Sequence, residues 1–138
     1  MGGMERYVWE LTHGLARRGI NVHIVCEDVG NMPLLPNVRI HRVSPAGTKK
    51  RWQQMLKFRD LVETELERRE FDWGIIHSHE RCLSHHVTTF HGPSIFDRKF
   101  SLISRLASMR IRAWEMMERR EVSYASVQAV VVVSDLVS

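Results

Sequence analysis

The amino-acid sequence predicts an α/β fold, a doubly wound and mostly parallel sheet, and two observations carry that reading. Stretches with apolar residues at helical spacing alternate along the chain with short apolar runs of strand length. Two of those runs, residues 73–76 and 87–90, are each followed at once by histidine, with a brief polar link between them. In an open parallel sheet, ligands sit beyond the carboxyl ends of the strands. His77, His79, His91 and Gly92 fall at such ends, so they are expected to crowd one rim and form the wall of a site.

Each element follows from its own pattern. Met4, Tyr7, Val8, Leu11 and Leu15 recur at helical spacing ahead of Arg17, Arg18 and Gly19. That is an amphipathic helix with cations complementing the dipole of its last turn and a glycine stop. Residues 22–26 form an apolar run with His23 embedded, read as a buried strand. A polar, proline-containing loop over 27–37 leads to residues 38–43, where Val38, Ile40 and Val43 alternate with Arg39, His41 and Arg42, as in a half-exposed strand. Pro45 and Gly47 mark a turn. A second helix is predicted over 49–69, with Trp52, Met55, Leu56, Val62 and Leu66 on one face and Glu65 and Arg69 spaced for an ion pair. After the two central strands, Gly92-Pro93 breaks the pattern, a long helix runs from about 102 to 121, and residues 129–133 close as a strand before Ser134.

The totals narrow the class. A chain of 138 residues is one domain by length, with an ordinary 43% hydrophobic and 26% charged content. The net charge of +4 suggests an anionic neighbour without choosing among phosphate, acidic lipid and nucleic acid. Two cysteines, Cys26 and Cys82, are too few and too far apart for a disulfide framework. No run is long and apolar enough to span a bilayer, and the N-terminus has no secretory pattern. A cytoplasmic chain is expected. The sequence opens on Met1-Gly2-Gly3 and goes straight into a helix, whereas a doubly wound sheet normally begins with a central strand and a glycine-rich exit turn. Residues 1–138 are therefore expected to be a single incomplete domain whose first central strand is missing. Such a sheet should gap or close up, leaving unpaired backbone edges.

Gly2-Gly3-Met4-Glu5-Arg6, the helix ending Ala16-Arg17-Arg18-Gly19, and Val22-His23-Ile24-Val25-Cys26 resemble the start of the N-terminal domain of family 4 glycosyltransferases. Residues 72–79 resemble the family's Asp-x-hydrophobic-hydrophobic-His-x-His strand end. Residues 87–92 (Val-Thr-Thr-Phe-His-Gly) resemble its next strand and loop, and 129–134 its strand ending in serine. The short link over 80–86 is closer to the lipopolysaccharide-core glucosyltransferase branch. The resemblance implies a Rossmann-like domain of the GT-B fold. It also implies transfer of a sugar, with retention, from a nucleotide-sugar co-substrate to a glycan or lipid-linked acceptor. This half would form the acceptor side, and the C-terminal nucleotide-sugar domain with its paired glutamates would be absent, so the fragment alone should not turn over. No metal or other cofactor is implied. Gly2 and Gly3 would bring bare backbone amides to the diphosphate and acceptor. His91 would be the catalytic residue facing the donor sugar. His77, His79, Glu80, Gly92 and Ser134 would be substrate-binding positions.

Other readings of the same residues compete. His77, His79, His85, His86 and His91 invite a metal-dependent hydrolase. After His79, however, come Glu80, Arg81 and Cys82, so the Asp-His half of a binuclear zinc pattern is lacking. Cys82 as a nucleophile has no orienting acid visible in the sequence. A non-catalytic module that holds a sugar or phosphate on the same rim is the main alternative to an enzyme. Arg98, Arg105, Arg112 and Arg119 recur every seven residues and would share one helix face, which could rest on the inner surface of a membrane. Glu115, three residues after Arg112 and four before Arg119, instead suits ordinary surface ion pairs. The charge is not concentrated and no stacking platform shows, so no nucleic-acid partner is expected.

Overall fold

The computed structural model describes residues 2–30, 33–47, 49–68, 74–123 and 127–132. Helix α1 (Gly3–Arg17) carries Glu5 in its first turn and Arg17 in its last. It stops at Gly19, whose φ of +82° is open to glycine without strain. Asn37 donates its amide to the carbonyls of Ala16 at 2.9 Å and Ile20 at 2.6 Å, tying the end of α1 to the start of the second strand. Strand β1 (Val22–Cys26) pairs in parallel with β2 (Val38–Arg42), Val22 against Val38 through Cys26 against Arg42.

The alternation in β2 is interrupted at His41. Simple alternation sets it with the exposed arginines, yet it is only 7% exposed. Its ring stacks on that of His23, with Nε2 of His41 2.9 Å from Nδ1 of His23, and its own Nδ1 lies 3.5 Å from Glu65. Glu65 belongs to α2 (Arg51–Arg68). Arg69, its expected partner, lies outside the described residues.

The second sheet holds three parallel strands in the order β3-β4-β5: His77–Ser78, Val87–Phe90 and Ala129–Val132. The strand expected over 73–76 is displaced: residues 74–76 precede β3, which is 77–78, and His77 lies inside it, paired with Val87. The cause is the partner register: the carbonyl of Ile76 accepts from the amides of both His86 and Val87, so pairing begins there and runs on. Trp73 and Val133, at the outer ends of two predicted strands, fall outside the described residues. All strand pairs are parallel, as a doubly wound sheet requires. Among the described residues, no strand joins β1-β2 to β3-β4-β5, and of the two expected outcomes, a gapped sheet or a closed one, the gapped sheet is found.

The predicted long helix is also divided. After a 3-10 turn (Ile95–Asp97) come α3 (Leu102–Ala107) and α4 (Met109–Ser123). Ser108 between them is extended, at φ −98° and ψ 105°. Serine hydroxyls satisfy helix N-terminal amides better than they tolerate a helix interior. Ser101 accepts from the amide of Ser104 at 3.1 Å, and Ser108 from that of Ile111 at 3.4 Å. The seven-residue spacing of arginines therefore does not define one helix face: Arg98 follows the turn, Arg105 is on α3, and Arg112 and Arg119 are on α4.

Candidate functional site

The site is built where β3 and β4 end. Leaving β3, the chain places His79 and Glu80; leaving β4, it places His91 and Gly92. His79 Nδ1 lies 3.2 Å from His91 Nε2. Tyr7, from α1, meets both imidazoles edge-on, at centroid distances of 5.6 Å to His79 and 5.5 Å to His91. His77 stands one layer behind, its ring 4.3 Å from that of His79 and its Nε2 2.7 Å from the hydroxyl of Thr89.

All three histidines are shifted toward the neutral form. Burial, then the neighbouring His77 and His91, lowers His79 to about 4. Burial likewise lowers His91, and burial with His91 and His85 lowers His77. Two neutral imidazoles sharing one hydrogen bond have a fixed consequence. Whichever ring donates, one outer nitrogen is left as a donor and the other as an acceptor. The pair can thus both give and take a hydrogen bond, which is what a hydroxyl group offers in return.

In front of the pair lies an open cleft of about 580 Å³. His79, Glu80, His91 and Gly92 line it. His77 does not. Gly2 caps α1 in an ordinary extended conformation and Gly3 is its first residue; both are exposed, and the chain reaches the cleft at the next residue, Met4. Ser134 lies outside the described residues.

The machinery that holds this rim lies outside the strand-end pattern. Glu118 and Glu121 are buried on α4, at 4% and 3% exposure. Glu118 accepts from Arg81 at 2.8 Å, from the hydroxyl of Ser94 and from the amide of Ile95. Glu121 accepts from the hydroxyl of Thr88 at 2.6 Å, and its other oxygen lies 3.7 Å from Arg81. Burial lifts the Glu121 carboxyl above its ordinary range against the pull of Thr88 and Arg81. A third acid, Glu63 of α2, accepts from the amides of Leu83 and Ser84 at 2.9 and 3.0 Å. The loop after β3 and the loop after β4 are therefore pinned from beneath by carboxylates. The available signal was two acids, three residues apart, directly after Met116-Met117.

One competing chemistry loses support. Cys82 is buried, and burial pushes its thiol up to about 12, so it is not a ready nucleophile. Among the described residues, no three histidine, cysteine or acidic side chains converge to hold a metal ion. Nor is any helix among them long and apolar enough to cross a membrane.

Comparison with known proteins bears on the family and the fold. Residues 1–137 match the family model of Glycosyltransferase Family 4. Among solved structures, the fold is similar to the crystal structure of WaaG, a glycosyltransferase involved in lipopolysaccharide biosynthesis. The TM-score is 0.78 at 15% sequence identity, covering 99% of this chain and 36% of that one. The chain thus spans about a third of the length of that structure. No curated protein matches it in sequence.

Proposed function

The chain belongs to Glycosyltransferase Family 4, and from that premise we propose that it forms the acceptor-side half of a sugar-transfer site. In this reading a nucleotide-sugar donor is held by a further C-terminal domain, and a hexose passes to a glycan or lipid-linked acceptor with retention of configuration. The observation that supports it most is the hydrogen-bonded pair His79 and His91 at the mouth of a cleft. A neutral pair that both donates and accepts suits sugar hydroxyls, and a neutral imidazole can also donate to charge developing on an oxygen in the transition state. His91 is the proposed catalytic residue. His79, Glu80 and Gly92 hold substrate, and His77 braces the pair. Gly2 and Gly3, which do not line the cleft, and Ser134 remain proposed contacts by family pattern alone. A place in the assembly of a cell-envelope polysaccharide, on the cytoplasmic side of the membrane, belongs to the same reading.

The deciding measurement is turnover of the enzyme carrying its donor domain. His91→Ala should lower kcat by about 10²-fold or more, the usual scale for removing one group that stabilises transition-state charge. An unchanged rate would remove His91 from the mechanism. Binding of sugar without any turnover in the intact enzyme would favour a non-catalytic sugar-holding module.

Contact with an anionic membrane is a further part of the proposal. Leu102, Ile103, Leu106 and Met109 are 77%, 79%, 78% and 68% exposed, a dense apolar patch for a protein surface. Arg98, Arg112 and Arg119 are exposed in the same region of the chain, while Arg105 is taken up by Glu115 at 3.1 Å. Support for the contact therefore comes from the apolar patch rather than from the arginine spacing.

A further inference from the structure

The cleft in front of the histidine pair carries a charge pattern that sugar transfer alone does not require. Arg51 at the start of α2, Arg81 after β3, Arg98 after the 3-10 turn and Arg110 in the first turn of α4 all line it. Arg81 is committed to Glu118 and Glu121 and lies 4.9 Å above the ring of Trp114. Arg51, Arg98 and Arg110 are exposed, and none has an ion-pair partner among the described residues. The carboxylates that line the cleft are Glu80 and Glu121, and Glu121 is already bound by Thr88 and Arg81. Glu80 is held above its ordinary range by burial, against the pull of Arg81 and Arg51, so Arg98 and Arg110 are the guanidinium groups of the cleft left without a carboxylate partner among the described residues. The histidines, shifted toward neutrality, do not add to this charge. Trp52 and Phe100 line the same cleft, and an aromatic face suits the C–H face of a sugar ring.

A guanidinium group offers a planar fork of donors that matches phosphate or carboxylate in paired hydrogen bonds. We infer that the acceptor taken by this cleft is an anionic sugar, one bearing a phosphate or carboxylate. Arg98 and Arg110 hold the anion, Trp52 packs on the ring, and the histidine pair takes a hydroxyl. The inference rests on the sugar-transfer reading for the ring and on the arginines for the anion. The diphosphate of a nucleotide donor has the same anionic chemistry, so the test must separate the two.

Trp52 and Trp114 line the cleft, so intrinsic tryptophan fluorescence of the intact chain reports its occupancy. Four probes are titrated: glucose 6-phosphate, glucose, inorganic phosphate and uridine diphosphate. Glucose 6-phosphate should bind about tenfold or more tighter than glucose or phosphate, and the advantage should shrink as salt is raised. Replacing both Arg98→Gln and Arg110→Gln should abolish that preference. The paired change Arg98→Lys and Arg110→Lys should keep part of it, and Arg120→Gln, outside the cleft, should leave it intact. A matching far-UV circular dichroism spectrum certifies the fold of each variant. Equal affinity for glucose and glucose 6-phosphate would overturn the inference and leave sugar transfer standing. Phosphate binding as tightly as glucose 6-phosphate would overturn it and count against a sugar site altogether. Tightest binding of uridine diphosphate, lost in the double glutamine variant, would assign the arginines to the donor and overturn the acceptor claim. Unchanged affinities in that variant, or no binding of any probe, would also overturn it.

Discussion

His79 takes up its proton near pH 4 in the folded chain, against an ordinary value of 6.5. Between those values the unfolded state binds more protons, so stability rises with pH across the window. The contribution is complete above about pH 6.5 and is lost progressively as pH falls toward 4. His79→Asn, which cannot titrate, should flatten the fall in thermal midpoint between about pH 7 and pH 4. Identical slopes for the variant and its parent would mean that His79 does not govern acid sensitivity. At this scale the sequence was informative where function follows from position on a strand. His79, Glu80, His91 and Gly92 reach the cleft because the chain must turn out of a parallel strand there. It was silent on Arg81 and Glu118, which meet across 37 positions of sequence. Their meaning comes from two elements docking, and no local pattern records that.

At the scale of elements, the apolar and charged periodicities located the helices and strands, and the departures share a cause in side-chain hydrogen bonding. Ser101 and Ser108 divide one apolar-periodic stretch into α3 and α4 by offering caps to two sets of amides. His41 leaves the exposed side of β2 because His23 and Glu65 give it polar partners indoors. The break at Ser108 matters for the proposed membrane contact, since it frees α3 as a short segment with Leu102, Ile103 and Leu106 all outward. The chain should co-sediment with vesicles rich in phosphatidylglycerol and much less with phosphatidylcholine vesicles. Ile103→Asp together with Leu106→Asp should cut partitioning by roughly tenfold or more, since apolar burial drives interfacial binding. Equal sedimentation of the aspartate variant and its parent would remove α3 from the contact.

For the molecule as a whole, the fold class was legible because alternating elements admit few arrangements, whereas a divided sheet was one of two outcomes the sequence allowed. Strand pairing is a long-range choice, and the sequence left open whether the edges would gap or close. Within the described residues, β1 and β3 each pair on one side only, and unpaired edges template association. The core adds little resistance, since His85, Thr88, Thr89, Glu118 and Glu121 occupy interior volume that apolar side chains would otherwise fill. Light scattering should show concentration-dependent association of the chain by itself. A monomer with a sharp, concentration-independent melt would refute this. The two sheets are nevertheless tied by side chains: through α2, whose Glu65 reaches His41 and whose Glu63 holds the loop at Leu83 and Ser84, and through Tyr7, which leans from α1 onto His79 and His91. A ligand clasped by those imidazoles would therefore brace a seam between two halves of the molecule. By reciprocity of coupled equilibria, its arrival should slow amide hydrogen exchange in β1, a strand it never touches.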